Sequence, residues 1–246
     1  MKADPQHQRR LLDLQATDTR LDQLAHAVRT LPAHKELEEL GARLATLDVE
    51  IVNAQTAYSD IQRELTKSEA DVELVRSRAA RDRDRLDAGT GTAKELQGLQ
   101  SELESLHRRQ GELEDIQLAV MERADEAQSR VGELTTERDD LAAKYAEVQR
   151  DKGLALEGFS TEAAEVEARR AAIVPEVAPE LLALYDKIRG TSGGIGAAEL
   201  NARRCGGCRL ELNALELNRI RGLSPDEVVR CEECQRILVR TGESGL

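Results

Sequence analysis

The sequence predicts a mainly α protein, a long antiparallel coiled-coil helical hairpin followed by a small C-terminal β ribbon. Three observations carry this expectation. Apolar residues recur in two heptad seams of similar length, on either side of one glycine-containing break, "DAGTGT", at Asp87 to Thr92. Charged residues make up 33% of the 246 and aromatics only 2%, with one Phe, three Tyr and no Trp. That composition leaves little for a thick multilayer core and suits long helices. The only four cysteines form two Cys-x-x-Cys pairs, "CGGC" at 205 to 208 and "CEEC" at 231 to 234.

The elements follow in chain order. An earlier set, Leu14, Thr17, Leu21, Leu24, Val28 and Leu31, is out of phase with what comes after, and Pro32 stands between. Proline removes a helix hydrogen bond and clashes with the preceding turn, so a kink is expected near residue 32. From Leu37 the apolar steps run 3, 4, 3, 4 through Leu40, Leu44, Leu47, Ile51, Ala54, Tyr58, Ile61 and Leu65, then polar Ser68, Val72, Val75 and Ala79. A second seam runs from Leu96 through Leu103, Leu113, Val120, Ala124, Val131 and Leu134 to Val148. Such seams, with charges at the outer positions, mark paired helices, and each arm is roughly 70 Å long at 1.5 Å per residue. Thr92 is placed to cap the return helix, with Glu95 at the capping-box position. Gly153 and Gly158 on the return arm suggest an articulation, with a base formed by the first 30 residues and about 155 to 174. Pro175 and Pro179 end the long helix, "PELLALYDKIRG" reads as a short helix closed by Gly190, and "GTSGGIG" reads as a linker. The expected organisation is therefore a hairpin over 1–174 with its tip at 85–93, a short helix and linker over 175–194, and a ribbon over 195–246.

A heptad repeat by itself is most simply a spacer or an oligomerisation rod, so the tip is considered separately. Residues 76 to 94 carry Arg76, Arg78, Arg81, Arg83, Arg85 and Lys94 against Asp82, Asp84 and Asp87, a net of about +3 in a chain of net charge -12. Arginines bind phosphates or carboxylates bidentately, which makes this segment, with Glu95, a candidate partner surface. The plain alternative is a solvated face whose Arg and Asp residues pair within the helix.

The paired cysteines are the strongest chemical signal. Zinc takes four thiolates in a tetrahedron, and each Cys-x-x-Cys turn supplies two. The spacing C-x2-C-x22-C-x2-C fits a ribbon of short strands, with Gly206 and Gly207 letting the first turn close and "IGAAELNARR", "EVVR" and "RILVR" as strands. One structural zinc ion held by Cys205, Cys208, Cys231 and Cys234 is the leading reading. An iron centre or a redox pair is the residual one, and no βαβ pattern surrounds "CGGC" to support redox work. Four cysteines leave no coordination position for an activated water. All four histidines, His7, His26, His34 and His107, fall on the helical part. No catalytic set is apparent, and a non-enzymatic protein is expected.

Nucleic-acid binding has a weaker footprint. Residues 195 to 246 hold eight arginines and eight acids, and no aromatic follows Tyr185, so base stacking has no platform. Arg203, Arg204 and Arg209 form the one arginine group suited to phosphate contact. No stretch approaches 18 apolar residues, and "MKADPQHQRR" has no apolar signal core, so a cytoplasmic protein without a membrane span is expected. There, such cysteine pairs serve as ligands rather than disulfides.

The combination of a long hairpin and a C-terminal ribbon resembles a bacterial family of C4-type zinc ribbon coiled-coil proteins, often described as nucleic-acid-binding. The resemblance rests on "CGGCRLEL", "VVRCEECQRILVR", "GIGAAEL" and "TAKELQGLQSEL" and covers nearly the whole chain. It implies that the four cysteines are the zinc ligands and that the protein is non-enzymatic. It also brings in relatives that bind an alternative sigma factor or act as assembly chaperones. The chain departs from the family pattern at Glu232 and Gln235, where proline and glycine are usual, and at Val239, where tyrosine is common. The functional expectation is an adaptor or chaperone-like protein docking protein partners in transcription or RNA machinery, with no small-molecule substrate. Two alternatives stand beside it. One is a nucleic-acid-binding protein using the tip and ribbon arginines. The other is a polymerase secondary-channel regulator of the DksA type, motivated by Asp84 and Asp87.

Overall fold

The computed structural model describes residues Met1–Leu246. Helices α1 (Pro5–Arg29), α2 (Ala33–Asp87) and α3 (Ala93–Ile173) are followed by a short 3-10 turn and α4 (Pro179–Thr191). Then come β1 (Ala197–Asn201), β2 (Arg204–Cys205), α5 (Ala214–Gly222), β3 (Val229–Arg230) and β4 (Ile237–Arg240). A mainly α protein with a long coiled-coil hairpin and a small strand region is what the seams and the cysteine spacing lead one to expect. No helix is long and apolar enough to cross a membrane. The chain forms two compact units, Lys35–Gln149 and Met1–His34 with Arg150–Leu246.

The first unit is the coiled-coil hairpin. Leu40, Leu47, Val72 and Ala79 of α2 and Leu103, Leu113, Val120, Ala124 and Leu134 of α3 are buried. The remaining seam positions are half-buried and the positions between them mostly exposed. Burial follows the 3.5-residue period because only those side chains meet the facing helix. Ion pairs cross the seam, with Arg43–Glu137 at 2.7 Å, Arg76–Glu114 at 2.6 Å, Arg123–Glu64 at 3.2 Å and Lys144–Glu36 at 3.3 Å. All are exposed and each contributes at most about 1 kcal/mol, so they specify the register more than they stabilise it. Gly153 and Gly158, read from sequence as an articulation, lie inside α3 and neither takes a positive φ.

The second unit is built on a four-stranded sheet in the order β2-β1-β4-β3. Its centre is a parallel pair, with Ala197 opposite Ile237 and Leu200 opposite Arg240. Successive strand residues point to opposite faces, and both faces are covered. Ala197, Ile237 and Val239 pack with Leu11 and Leu14 of α1 and with Leu181, Tyr185 and Ile188 of α4. Ala198, Leu200 and Leu238 pack on the other side with Leu217 and Ile220 of α5 and with the cysteines. Tyr185, Leu11, Leu181 and Ile237 have no solvent-accessible surface.

Three findings add to the sequence reading. The short helix expected within 175–194 is present as α4, and the segment after it is packed rather than extended. α4 runs past Gly190 to Thr191 and closes at Gly193 (φ 68°), with the Gly194 N–H donating to the Arg189 carbonyl. This is the usual left-handed glycine cap, which falls where the last carbonyls need a donor. The glycines after it are tightly packed, and a Cβ on Gly196 would lie 2.7 Å from the Tyr185 ring. The N-terminus joins the ribbon. The Ala3 N–H donates to the Asp226 carbonyl and the Val228 N–H to the Met1 carbonyl. Finally, α5 was not anticipated. Asn213 accepts from the Glu216 N–H at its start, a capping signal that was present in the sequence.

Three buried polar side chains on α1 tie this unit together. Gln8 donates to the carbonyls of Ala3 and Pro225, and Gln15 donates to Gly194 and accepts from the Gly196 N–H at 2.6 Å. Asp18, 2% exposed, accepts from the Arg170 Nε and the Tyr185 hydroxyl, both at 2.7 Å. Burial, reinforced by the hydrogen bond to Asp18, raises the Tyr185 hydroxyl well above its ordinary value. The folded state therefore holds this proton more tightly than the unfolded chain does. The stabilisation is fully present below the ordinary tyrosine value of about 10 and is lost as pH rises beyond it. Chemical denaturation measured between neutral and strongly alkaline pH is expected to show that decline. In Tyr185→Phe the decline flattens, and stability at neutral pH is lower by about 1 to 2 kcal/mol because Asp18 loses a buried donor. An unchanged alkaline slope in the variant would show that the decline has another source.

Candidate metal centre and hairpin tip

The two Cys-x-x-Cys turns are built alike. The Cys205 N–H donates to the Leu210 carbonyl and the Arg209 N–H to the Cys205 carbonyl. The Cys231 N–H donates to the Arg236 carbonyl and the Gln235 N–H to the Cys231 carbonyl. In each turn the residue after the second cysteine is left-handed, Arg209 at φ 63° and Gln235 at φ 60°. Such a turn aims successive backbone N–H groups and both thiols at one point. β2 and the strands β3 and β4 bring the two turns face to face, and the Sγ atoms of Cys205, Cys208, Cys231 and Cys234 lie within 4.8 Å of one another. Cys205 and Cys234 are 3.8 Å apart, and Cys208 and Cys231 are 3.9 Å apart. A zinc–sulfur bond of about 2.3 Å gives a tetrahedral edge of about 3.8 Å, so the cluster fits one zinc ion.

Two of the thiols, Cys205 and Cys231, sit in a setting that opposes charge without a cation. Burial pushes Cys231 well above the ordinary thiol range and raises Cys205. At Cys234 burial acts in the same direction, but the Arg236 N–H and the neighbouring thiols outweigh it and bring that group down. A bound divalent ion would supply the positive charge that buried thiolates need. Gly206 and Gly207 let the turn close by being small. Neither takes a positive φ. They permit close approach, since a Cβ on Gly207 would meet the Arg236 side chain at 2.7 Å and one on Gly206 would meet the Glu199 carbonyl at 3.1 Å.

Around the ribbon, most arginines are occupied. Arg240 donates to the carbonyls of Leu223, Ser224 and Glu227, and Arg236 to those of Ser192 and Ile195. Arg204 pairs with Glu211 at 3.7 Å and Arg219 with Glu232 at 3.6 Å. Arg203 (φ 65°) and Ala202 (φ 43°) form the two-residue turn between β1 and β2. The side chains of Arg203 and Arg209 have no ion-pair partner and are exposed. Nearby, Glu216, counted in the sequence only as one of the ribbon's eight acids, is buried. It accepts from the Glu232 N–H of the second turn, and burial raises its carboxyl.

At the tip, in the hairpin unit, the charges are more committed than the sequence suggests. Arg76 pairs with Glu114 and Arg78 with Glu102 across the seam. Glu95 closes a capping box, accepting from the Thr92 N–H at 2.7 Å, a bond that lowers its carboxyl below the usual range. Asp82, read from sequence as part of a charged surface, instead occupies the next seam position and is 8% exposed. Arg78 and Arg85 lie 3.9 and 3.8 Å from its oxygens, and its Oδ2 accepts no hydrogen bond. Its place could have been found by extending the period from Ala79 by three residues. Arg81, Arg83 and Lys94 are exposed and unpaired. Asp84 and Asp87 are exposed in the last turns of α2.

Three outcomes follow from this geometry. Cys231→Ser is expected to lose bound zinc, from one ion per chain to none by elemental analysis. The ribbon unit should lose several kcal/mol of stability, while helical circular dichroism from the hairpin persists. Gln235→Gly relieves a left-handed side chain and should raise stability by about 0.5 to 1 kcal/mol, measured by thermal unfolding of the zinc-loaded chain. Asp82→Leu replaces a poorly paired buried carboxylate with a seam side chain and should raise the hairpin's melting temperature by about 1 kcal/mol equivalent, where a lower melting temperature would refute the seam assignment.

Two family models match the chain. The CT398-like coiled coil hairpin domain covers residues 14–193, and the C4-type zinc ribbon domain covers 204–238. The chain is 35% identical over 240 residues to "Uncharacterized protein Rv2229c" of Mycobacterium tuberculosis, spanning 98% of each. It is 30% identical over 226 residues to "Uncharacterized protein ML1638" of Mycobacterium leprae, spanning 88% of this chain and 93% of that one. A solved structure from Mycobacterium smegmatis aligns with a TM-score of 0.80 at 36% identity, covering 98% of this chain and all (100%) of the other. CT398 from Chlamydia trachomatis aligns with a TM-score of 0.61 at 16% identity, covering 96% and 98%, and shares the fold.

Proposed function

From the premise that the chain belongs to the CT398-like coiled coil hairpin family, we propose that it is a non-catalytic adaptor, docking protein partners of the transcription or RNA machinery through its hairpin and its zinc ribbon. The observation that carries this reading is the closed metal site. Four thiols converge on one point, so a tetrahedral ion has no position left for a reacting water. The hydrophobic side chains packed around them include Ala198, Leu200, Leu212 and Leu238, and the buried acid nearby, Glu216, is engaged by the Glu232 N–H. The zinc then holds a surface in shape, and function lies in what that surface and the hairpin tip contact.

The free arginines are the natural contact points, Arg81 and Arg83 at the tip and Arg203 and Arg209 on the ribbon. Exposed, unpaired guanidinium groups engage a partner's carboxylates without first breaking an internal pair. Photo-crosslinking in cells from positions 81, 83 and 209, read by mass spectrometry, is expected to recover the same protein partner repeatedly. Arg81→Glu combined with Arg83→Glu should lower recovery through the tip at least about tenfold, equivalent to about 1.4 kcal/mol, with unchanged thermal unfolding. Recovery of nucleic acid alone, with binding that falls steeply as salt rises, would replace the adaptor reading with a nucleic-acid-binding one.

A further inference from the structure

Within the unit formed by Met1–His34 and Arg150–Leu246, α1 and α3 bound an open groove of about 650 Å³. Its origin is visible in the packing next to it. Along the earlier part of α1, α4 lies against the same two helices. Leu181 joins Leu11 and Leu14 in one cluster, the Tyr185 hydroxyl donates to Asp18, and Arg189 pairs with Asp22 at 2.8 Å. Arg170 of α3 binds that same Asp18. Three helices share one core there. α4 then stops at Thr191 and the chain turns away through Gly193 and Gly194 into β1.

The other two helices continue with the spacing that a third helix requires. Leu21, Leu24 and Val28 on α1 and Leu156, Phe159 and Ala163 on α3 line the groove, each set at i, i+3 and i+7. Leu24 is buried between the two helices and the other five are half-buried, and α4, which ends at Thr191, does not extend over them. Phe159 is the only phenylalanine, and it stands half-buried on this wall. The electrostatics also have a sign. The two arginines at the groove's end are occupied by Asp18 and Asp22, whereas Glu167 on the rim is exposed and forms no ion pair. The whole chain carries -12.

We propose that this groove receives an amphipathic α-helix of a partner protein, apolar on the face that enters and lined with lysine or arginine along its edges, continuing the third-helix position beyond α4. The apolar face of α4 is the template for the occupant. Leu181, Leu184, Tyr185 and Ile188 stand at i, i+3, i+4 and i+7 and pack against α1 and its neighbours. An incoming helix with that pattern extends an interface the molecule already forms, and a helix laid into an apolar groove is a common mode of peptide recognition. The proposal rests on the adaptor reading and names a docking surface for it.

The test uses the full-length, zinc-loaded chain and a labelled synthetic helix about four turns long, with leucines at i, i+3, i+4 and i+7 and lysines beside them. The control peptide has the same composition with its leucines spread around the helix. Fluorescence anisotropy is expected to show saturable binding at least about tenfold tighter than the control (tenfold being about 1.4 kcal/mol), weakening as salt rises. Ala25→Arg on the α1 wall and Ala163→Arg on the α3 wall should each cost at least about tenfold, equivalent to about 1.4 kcal/mol, with thermal unfolding unchanged. Equal binding of the control peptide, or binding indifferent to both substitutions, overturns the proposal. Sedimentation showing a wild-type dimer that Ala25→Arg disperses also overturns it, because the occupant is then a second copy. The peptide assay involves no cellular partner, so its failure leaves the adaptor reading to its own crosslinking test.

Discussion

The parallel pairing of β1 with β4 is the constraint on which the C-terminal unit depends. The two strands are 40 residues apart in register, Ala197 opposite Ile237, and a parallel pair cannot be closed by a tight turn. Everything between them has to be folded back, and the two cysteine turns and α5 occupy that connection. Once paired, the strands present one face to α1 and α4 and the other to α5 and the thiols. Ile237, Leu238 and Val239 are consequently buried on both sides. The metal site and the helical core stabilise the same short strand from opposite directions, so neither half of the unit is complete without the other.

That arrangement explains how a chain with so few aromatics forms a well-ordered core. One tyrosine, Tyr185, is fully buried at the junction, and its hydroxyl is satisfied by a buried aspartate. A buried carboxylate is stable only when paired and hydrogen-bonded, and Asp18 has Arg170, Tyr185 and Arg189 around it. The hairpin unit contains the contrasting case. Asp82 is buried at a seam position with two arginines at the limit of ion-pair distance and one oxygen without a donor. The first aspartate joins three helices. The second weakens a seam at the tip, where Arg81, Arg83 and Lys94 are left free.

The fold was legible to the extent that a period or a spacing encodes it. The seam residues from Leu37 to Ala79 and from Leu96 to Val148 are buried or half-buried in turn, because a side chain on a long helix meets only what its own period brings to it. The four cysteines were legible because two Cys-x-x-Cys pairs supply the four thiolates that a structural zinc ion takes. Asp82 was missed although its position continues the period, since a charge was taken to lie on the surface. α5 was missed although Asn213 and Glu216 mark its start, since a metal ribbon was expected to consist of strands alone.

By itself, the sequence determined the coiled-coil hairpin, its turn and the identity of the metal-binding residues, because each follows from local repetition or from ligand chemistry. Only the tertiary structure decided that Gln8, Gln15 and Asp18 face inward, that Met1 and Ala3 join the ribbon, and that Gly196 must be small. The physical reason is common to all of these. A polar side chain can be buried only where a distant segment offers it a partner, and a glycine is required only where distant atoms crowd it. Those partners lie up to 217 residues away along the chain, as between Gln8 and Pro225, and no local pattern announces them. The open groove between α1 and α3 belongs to the same class. Its apolar residues were all visible in the sequence, but the point at which α4 stops covering them was not.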